Sequence, residues 1–178
     1  MLIHIWNTSP TFYVAFISSI VAWLAYLQAK RQSVYKNTLD FQTHWNDSER
    51  VDEAWSIVYE MSNEKNNRMS ISSSAELINS LSTEALAVRE ILNRLECTAA
   101  AVSNCIYDET MLRKNYSGPW LRLWGKVYED YVCKSRTLND NPRIYEQLET
   151  MFVRWQLLRD KEDVYLKKNG KKEKWRKA

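Results

Sequence analysis

Hydrophobic positions in this chain form two kinds of pattern: one unbroken run, then a series of stripes. The run is SPTFYVAFISSIVAWLAYLQAKRQ, from Ser9 to Gln32. Between Thr11 and Leu27, 17 consecutive residues carry no charge. Apolar side chains would face every direction of a helix there, so water suits no side of it. Pro10 to Ala29 is 20 residues, which at a rise of about 1.5 Å per residue gives ~30 Å, the thickness of a bilayer's hydrocarbon core. Ser9 suits the cap, Pro10 the first turn, and the serine pair Ser18–Ser19 can bond back to the preceding turn. Aromatic residues sit toward both ends: Trp6, Phe12 and Tyr13, then Trp23 and Tyr26. A buried core helix is usually shorter and more stripe-like.

The stripes begin after this run. Val34, Tyr35, Leu39, Phe41 and Trp45 continue a helix out of the apolar segment. Asp47 or Ser48 then caps a helix to about Met61, with Val51, Ala54, Trp55 and Val58 at helical spacing. Ser62 to Glu76 is polar and serine-rich, which predicts the longest loop, closed by a Ser73-x-x-Glu76 capping box. Ser82-Thr83-Glu84 opens the clearest helix, with Val88, Ile91, Leu92, Leu95, Ala99, Val102 and Ile106 on one face. Asp108 starts a short helix to about Asn115, and Ser117-Gly118-Pro119 reads as a stop and a restart. Trp120, Leu123, Trp124, Val127, Tyr128 and Tyr131 form an aromatic stripe. After a turn at Leu138–Asn141, Asn141-Pro142 starts the last face: Ile144, Tyr145, Leu148, Phe152, Trp155 and Leu158.

Three glycines and three prolines in 178 residues are too few for the many tight turns of a β-rich fold. The expected class is all-α: one N-terminal transmembrane helix followed by a cytoplasmic antiparallel helical bundle. Residues 1–9 form a short extracytoplasmic terminus, 10–29 the membrane helix, 30–166 the domain and 167–178 a basic tail. The first basic residues are Lys30 and Arg31, after the apolar run. A cleaved signal wants them before it, and Leu27-Gln28-Ala29 is a poor cleavage site. The positive-inside rule then places the N-terminus outside and the domain inside the cytoplasmic membrane. Three cysteines, an odd number, do not suggest a disulfide framework in that compartment.

Charge is uneven. Residues 167–178 hold seven basic side chains and one acid, a net of +6, so the chain's +3 leaves −3 for everything before residue 167. Lys171, Lys172, Lys174, Trp175, Arg176 and Lys177 with Lys30 and Arg31 are the candidate membrane-surface residues. The tail has three readings: a solvated end, contact with the anionic inner leaflet, or nucleic-acid binding. Lipid is favoured, because the domain is already held at the bilayer.

Catalytic signals are weak. Cys97 and Cys105 lie roughly 12 Å apart along one expected helix, too far to share a zinc. His44 stands beside Trp45 with no nucleophile suggested nearby, although Cys105 or Cys133 could meet it in space. Asp108-Glu109 and Glu129-Asp130 are neighbours in sequence, so each pair splits between helix faces. Gly118, Gly125 and Gly170 fit no phosphate-loop motif. No enzyme activity, metal or cofactor is expected. Asn93 and Glu96 sit on one helix side beside the apolar stripe, where burial would demand partners such as Arg113, Arg122 or Arg154. They form a candidate polar network, read as fixing helix register in preference to binding a ligand.

The stretch AVREILNRLECTAAAVSNCIYDETMLR, the tryptophan-bearing helix and PRIYEQLETMFVRW resemble an uncharacterised family of bacterial and phage proteins, catalogued as a domain of unknown function. The likeness rests on Asn93-x-x-Glu96, the alanines after it, Ile106-x-Asp108-Glu109 and the Tyr145–Trp155 helix, and covers about residues 84–156. It implies an N-terminal membrane segment and a helical cytoplasmic part, and no activity. The expected role is a protein-interaction or scaffolding module that holds a partner protein or a second copy at the membrane, with phage–host interplay as one setting. The alternative is a membrane-tethered nucleic-acid binder acting through the tail.

Overall fold

The structure, a computed structural model, describes residues 10–63, 70–76 and 81–176. Among these all regular structure is helical. Helix α1 (Pro10–Asn46) is followed by α2 (Glu49–Ser62), the short α3 (Ile71–Glu76), α4 (Thr83–Ser103) and α5 (Glu109–Val127). A π-helical segment (Tyr128–Cys133) joins α5 to α6 (Lys134–Leu138), and α7 (Glu146–Arg176) closes the chain.

The core is the sum of the inward stripes. Val51, Ala54, Ile57, Val58 and Met61 of α2 meet Val88, Ile91, Leu92 and Leu95 of α4, all nearly sealed from solvent. Leu148, Met151, Phe152 and Trp155 of α7 cover the other side. A chain of tryptophans joins three helices: Trp45 lies 5.2 Å from Trp120, ring centre to ring centre, and Trp120 stacks on Trp155 at 6.0 Å. Such ring pairs add about 0.5–1.5 kcal/mol beyond the area they bury.

Two registers orient the helices. α1 and α5 run parallel: Thr38 meets Asp108 and Asn46 meets Tyr116, each pair 70 residues apart. α5 and α7 run antiparallel: Tyr128 meets Glu149, Trp124 meets Phe152, Trp120 meets Trp155 and Arg113 meets Glu162.

Several boundaries differ from the sequence reading. α4 stops at Ser103, and Ile106 is exposed. Cys105 takes a left-handed φ of 55°, with Ile106 N donating to Ala101 O and Cys105 N to Val102 O. This is a Schellman stop without its usual glycine, so the sequence carried no punctuation for it. α5 runs straight through Pro119. The proline removes the bond to Asn115 O, but both residues are exposed, so that carbonyl can bond water, while buried Leu112, Trp120 and Leu123 hold the helix in line. Ser73 is inside α3, not at its cap; its amide donates to Ser70 Oγ at 3.2 Å, so the capping serine is Ser70. α7 starts at Glu146, after a turn, and not at Pro142. Gly170 does not interrupt it. The boundaries at 29/30 and 166/167 both fall inside continuous helices.

Candidate membrane-facing site and its polar junctions

The first half of α1 touches no other element deeply: every side chain from Thr11 to Tyr26 is exposed, among them Phe12, Phe16, Ile17, Val21, Trp23 and Leu24. Ser19 spends its hydroxyl on Ala15 O at 2.9 Å, so the apolar surface has few unmet donors. This helix is long and apolar enough to cross a membrane.

Lys30 and Arg31 follow, in an open groove of about 690 Å³ whose far wall is Asp108. Asp108 caps α5 by accepting from Met111 N at 3.0 Å, and its own amide donates to Thr38 Oγ1 at 2.7 Å. Thr38 is fully buried and its hydroxyl donates to Val34 O at 2.8 Å. One threonine therefore welds the exposed rod to the first turn of α5. One turn further along, Phe41 meets the ring of Tyr107 at 5.0 Å, and Trp45 enters the tryptophan chain. Glu109 completes the junction by accepting from Arg154 Nε at 2.7 Å and Trp155 Nε1 at 2.8 Å.

A family model described as a domain of unknown function, DUF4760, matches residues 12–155. The chain belongs to the DUF4760 family. The match takes in the exposed half of α1 together with the domain. No curated protein and no solved structure matches the chain.

The DUF4760 chain separates the candidate pair Asn93 and Glu96. Glu96 reaches across to α7, accepting from Gln147 N at 3.2 Å and Leu148 N at 2.7 Å. These amides belong to a helix start that has no capping side chain of its own, since Tyr145 precedes it at φ 58°. A carboxylate there also opposes the positive end of the helix dipole. Asn93 is exposed and lines a groove of about 460 Å³ with Arg50, Glu53 and Glu90. The suggested arginine partners go elsewhere: Arg154 to Glu109, Arg113 to Glu162 at 2.8 Å, and Arg122 to the wall of a third groove. Glu96 thus sets helix register alone, without Asn93.

The sequence reading missed a second polar cluster. Tyr128 Oη donates to Glu149 Oε1 at 2.5 Å, Arg136 Nη2 donates to Glu149 Oε2 at 2.7 Å, and Arg136 Nε holds Ile144 O. The bond to Glu149, helped by burial, pushes the Tyr128 phenol from 10.0 up to about 12. Burial alone would raise Glu149, but the bonds from Tyr128 and Arg136 outweigh it and hold its carboxyl below the usual range. At neutral pH the cluster is a protonated phenol and a guanidinium closed on a carboxylate, which fastens the π segment to α7. Its members are 8 to 21 residues apart in sequence, a spacing no local motif marks. Tyr131 Oη and Ser135 Oγ, buried beside it, have no hydrogen-bond partner among the described residues.

Lys171, Lys172, Lys174, Trp175 and Arg176 lie on the last turns of α7. Lys177 and Trp6 lie outside the described residues. His44 is exposed, and its Nδ1 donates to Asp40 O at 2.7 Å. Cys97 and Cys105 are exposed, and Cys133 is half-buried.

A third groove, about 220 Å³, runs between α2 and α5. Trp55, Tyr59, Pro119 and Leu123 give it an apolar floor, with Arg122 and Lys126 at its rim. Lys126 Nζ reaches over to Ser62 O at 2.9 Å and Asn63 Oδ1 at 3.2 Å, closing one end.

Proposed function

We propose that this DUF4760 chain is a single-pass protein of the cytoplasmic membrane, N-terminus outside, and that its helical domain is a non-enzymatic interaction or scaffolding module on the cytoplasmic face. One observation carries the reading: within one helix, residues 11–26 are exposed on every side and apolar, while Thr38 and Trp45 are buried in the domain. A surface of this kind is stable only among apolar neighbours and not in water, and its length and all-round apolarity suit lipid tails. Lys30 and Arg31 at its domain-side end favour a cytoplasmic domain. The α2–α5 groove supports the interaction role, because tryptophan, tyrosine and arginine are the side chains that most often carry binding energy at protein interfaces, and Trp55, Tyr59 and Arg122 line this one slot.

The test uses the full chain in cells. The protein is expected to stay with membranes through carbonate extraction, and a reporter at its C-terminus is expected to be active only in the cytoplasm. A photoreactive residue at Tyr59 is expected to yield one discrete adduct, lost when Arg122→Glu reverses the charge at the exposed rim of the groove. Release by carbonate, or a reporter active outside, overturns the placement. A Tyr59 probe that yields no adduct, with the placement intact, overturns the interaction role.

A further inference from the structure

We propose that the end of α7 is a second foot on the same bilayer: residues 167–176 descend from the level of Thr38 to that of Lys30 and Arg31, and their tip rests on anionic lipid phosphates. The proposal builds on the membrane placement above.

It follows from the two registers. Along α1 and α5 the offset is 70 residues at both measured points, Thr38 with Asp108 and Asn46 with Tyr116. Equal spacing means the two helices advance together. α7 runs the other way beside α5: as α5 is followed back from Tyr128 to Arg113, α7 advances from Glu149 to Glu162, nearly step for step. Arg113 stands level with Thr43 of α1 by the same offset, so Glu162 does too. α7 then continues to Arg176. That stretch adds ~21 Å, directed at the end of the domain where α1 leaves it. Counting back along α1 from Thr43, residues 174 and 175 of α7 come level with Arg31 and Lys30.

The composition of α7 changes where this reach begins. Its outward part, Arg159 to Asp163, is of mixed charge, and the level that meets the anchor's cations holds Lys171, Lys172, Lys174 and Arg176 around Trp175. Cations with one indole suit the headgroup layer, where anionic phosphates lie and amphipathic rings prefer to sit. Because α1 already holds the chain at the surface, this contact forms at high effective concentration. The consequence is a two-point stance: α1 through the bilayer, α7 on it, and α5 touching both.

Hydrogen exchange on the full-length chain in nanodiscs decides it. Amides of residues 167–176 are expected to exchange at least about fivefold more slowly in discs containing phosphatidylglycerol than in neutral phosphatidylcholine, the factor one basic residue near an anionic surface supplies. High salt is expected to abolish the difference, as is the triple variant Lys171→Glu, Lys172→Glu, Lys174→Glu. Equal exchange in the two discs, with amides 12–27 protected in both, overturns the foot and leaves the membrane span standing. Free exchange at 12–27 overturns the span and the foot together. If inorganic phosphate or a single-stranded oligonucleotide slows 167–176 on neutral discs as strongly as the anionic lipid, the tail is a general polyanion site and the proposal falls.

Discussion

α1 and α7 are both long helices with one half built into the domain and the other half outside it. Their inner halves are alike: Thr38 and Trp45 on one, Leu148, Phe152 and Trp155 on the other, all buried. Their outer halves are opposites. That of α1 is apolar on every side from Thr11 to Tyr26, and that of α7 mixes exposed Leu157, Val164 and Tyr165 with charges at nearly every other position. The backbone geometry is common to both, so the difference lies in the medium each composition demands. A helix hydrophobic all round needs lipid or a core, and one studded with charge keeps its place in water or among headgroups.

The largest expected effect breaks the outer half of α1. Ile17→Asp with Val21→Asp puts two charges mid-helix, at a cost of about 3 kcal/mol each in hydrocarbon. Carbonate extraction is expected to release the variant, while its domain melts as before, because Ile17 and Val21 are exposed and touch no core residue. The inner half of α7 comes next. Trp155→Ala removes a fully buried ring and the indole donor to Glu109, and is expected to cost about 3–5 kcal/mol in denaturant unfolding without changing membrane retention. These two variants separate the halves: each should move one readout only.

Smaller effects sharpen the account of the inner half. Glu96→Ala strips the acceptor from Gln147 N and Leu148 N, and about 1–2 kcal/mol of stability should go with it; Asn93→Ala should change almost nothing. Tyr128→Phe should cost ~1 kcal/mol at neutral pH. The sign of its pH dependence is fixed by the raised phenol: the contribution is whole below pH 10.0 and fades as pH climbs through about 12. Melting curves of the native chain should therefore drop toward those of Tyr128→Phe in that window. On the acid side the lowered Glu149 works in reverse, and its contribution disappears as pH falls through its depressed value. Least of all, Gly125→Ala should add about 0.5–1 kcal/mol, since a methyl there meets nothing within 4 Å and the helix gains a better former.

What the sequence revealed and what it concealed divide along physical lines. Helical periodicity marks burial directly, which is why Val51, Val88, Ile91, Leu92, Leu148 and Trp155 were legible as core. Starts with an oxygen-bearing cap were legible too, at Ser82 and Asp108, whose side chains accept from Ala85 N and Met111 N. Stops were read unevenly: the turn at Leu138–Asn141 does end α6 and holds left-handed Asp140, but the end of α4 was missed, because Cys105 occupies a left-handed position that glycine normally announces. Pro119 misled for the converse reason: a breaker is overruled when the lost bond faces water and packing on the other side is intact. Of the candidate residues, Glu96 was found as polar beside an apolar stripe, but its role as a cap for a helix 51 residues away depends on the fold. The Tyr128–Arg136–Glu149 fastener was invisible for the same reason.

The uninterrupted course of α1 has a mechanical consequence. Thirty-seven residues in one helix make a strut of roughly 55 Å with no joint between Pro10 and the tryptophan chain. On the proposed placement, any change in bilayer thickness that leans the lower part of the strut must swing the upper part, and the grooves beside α2 swing with it.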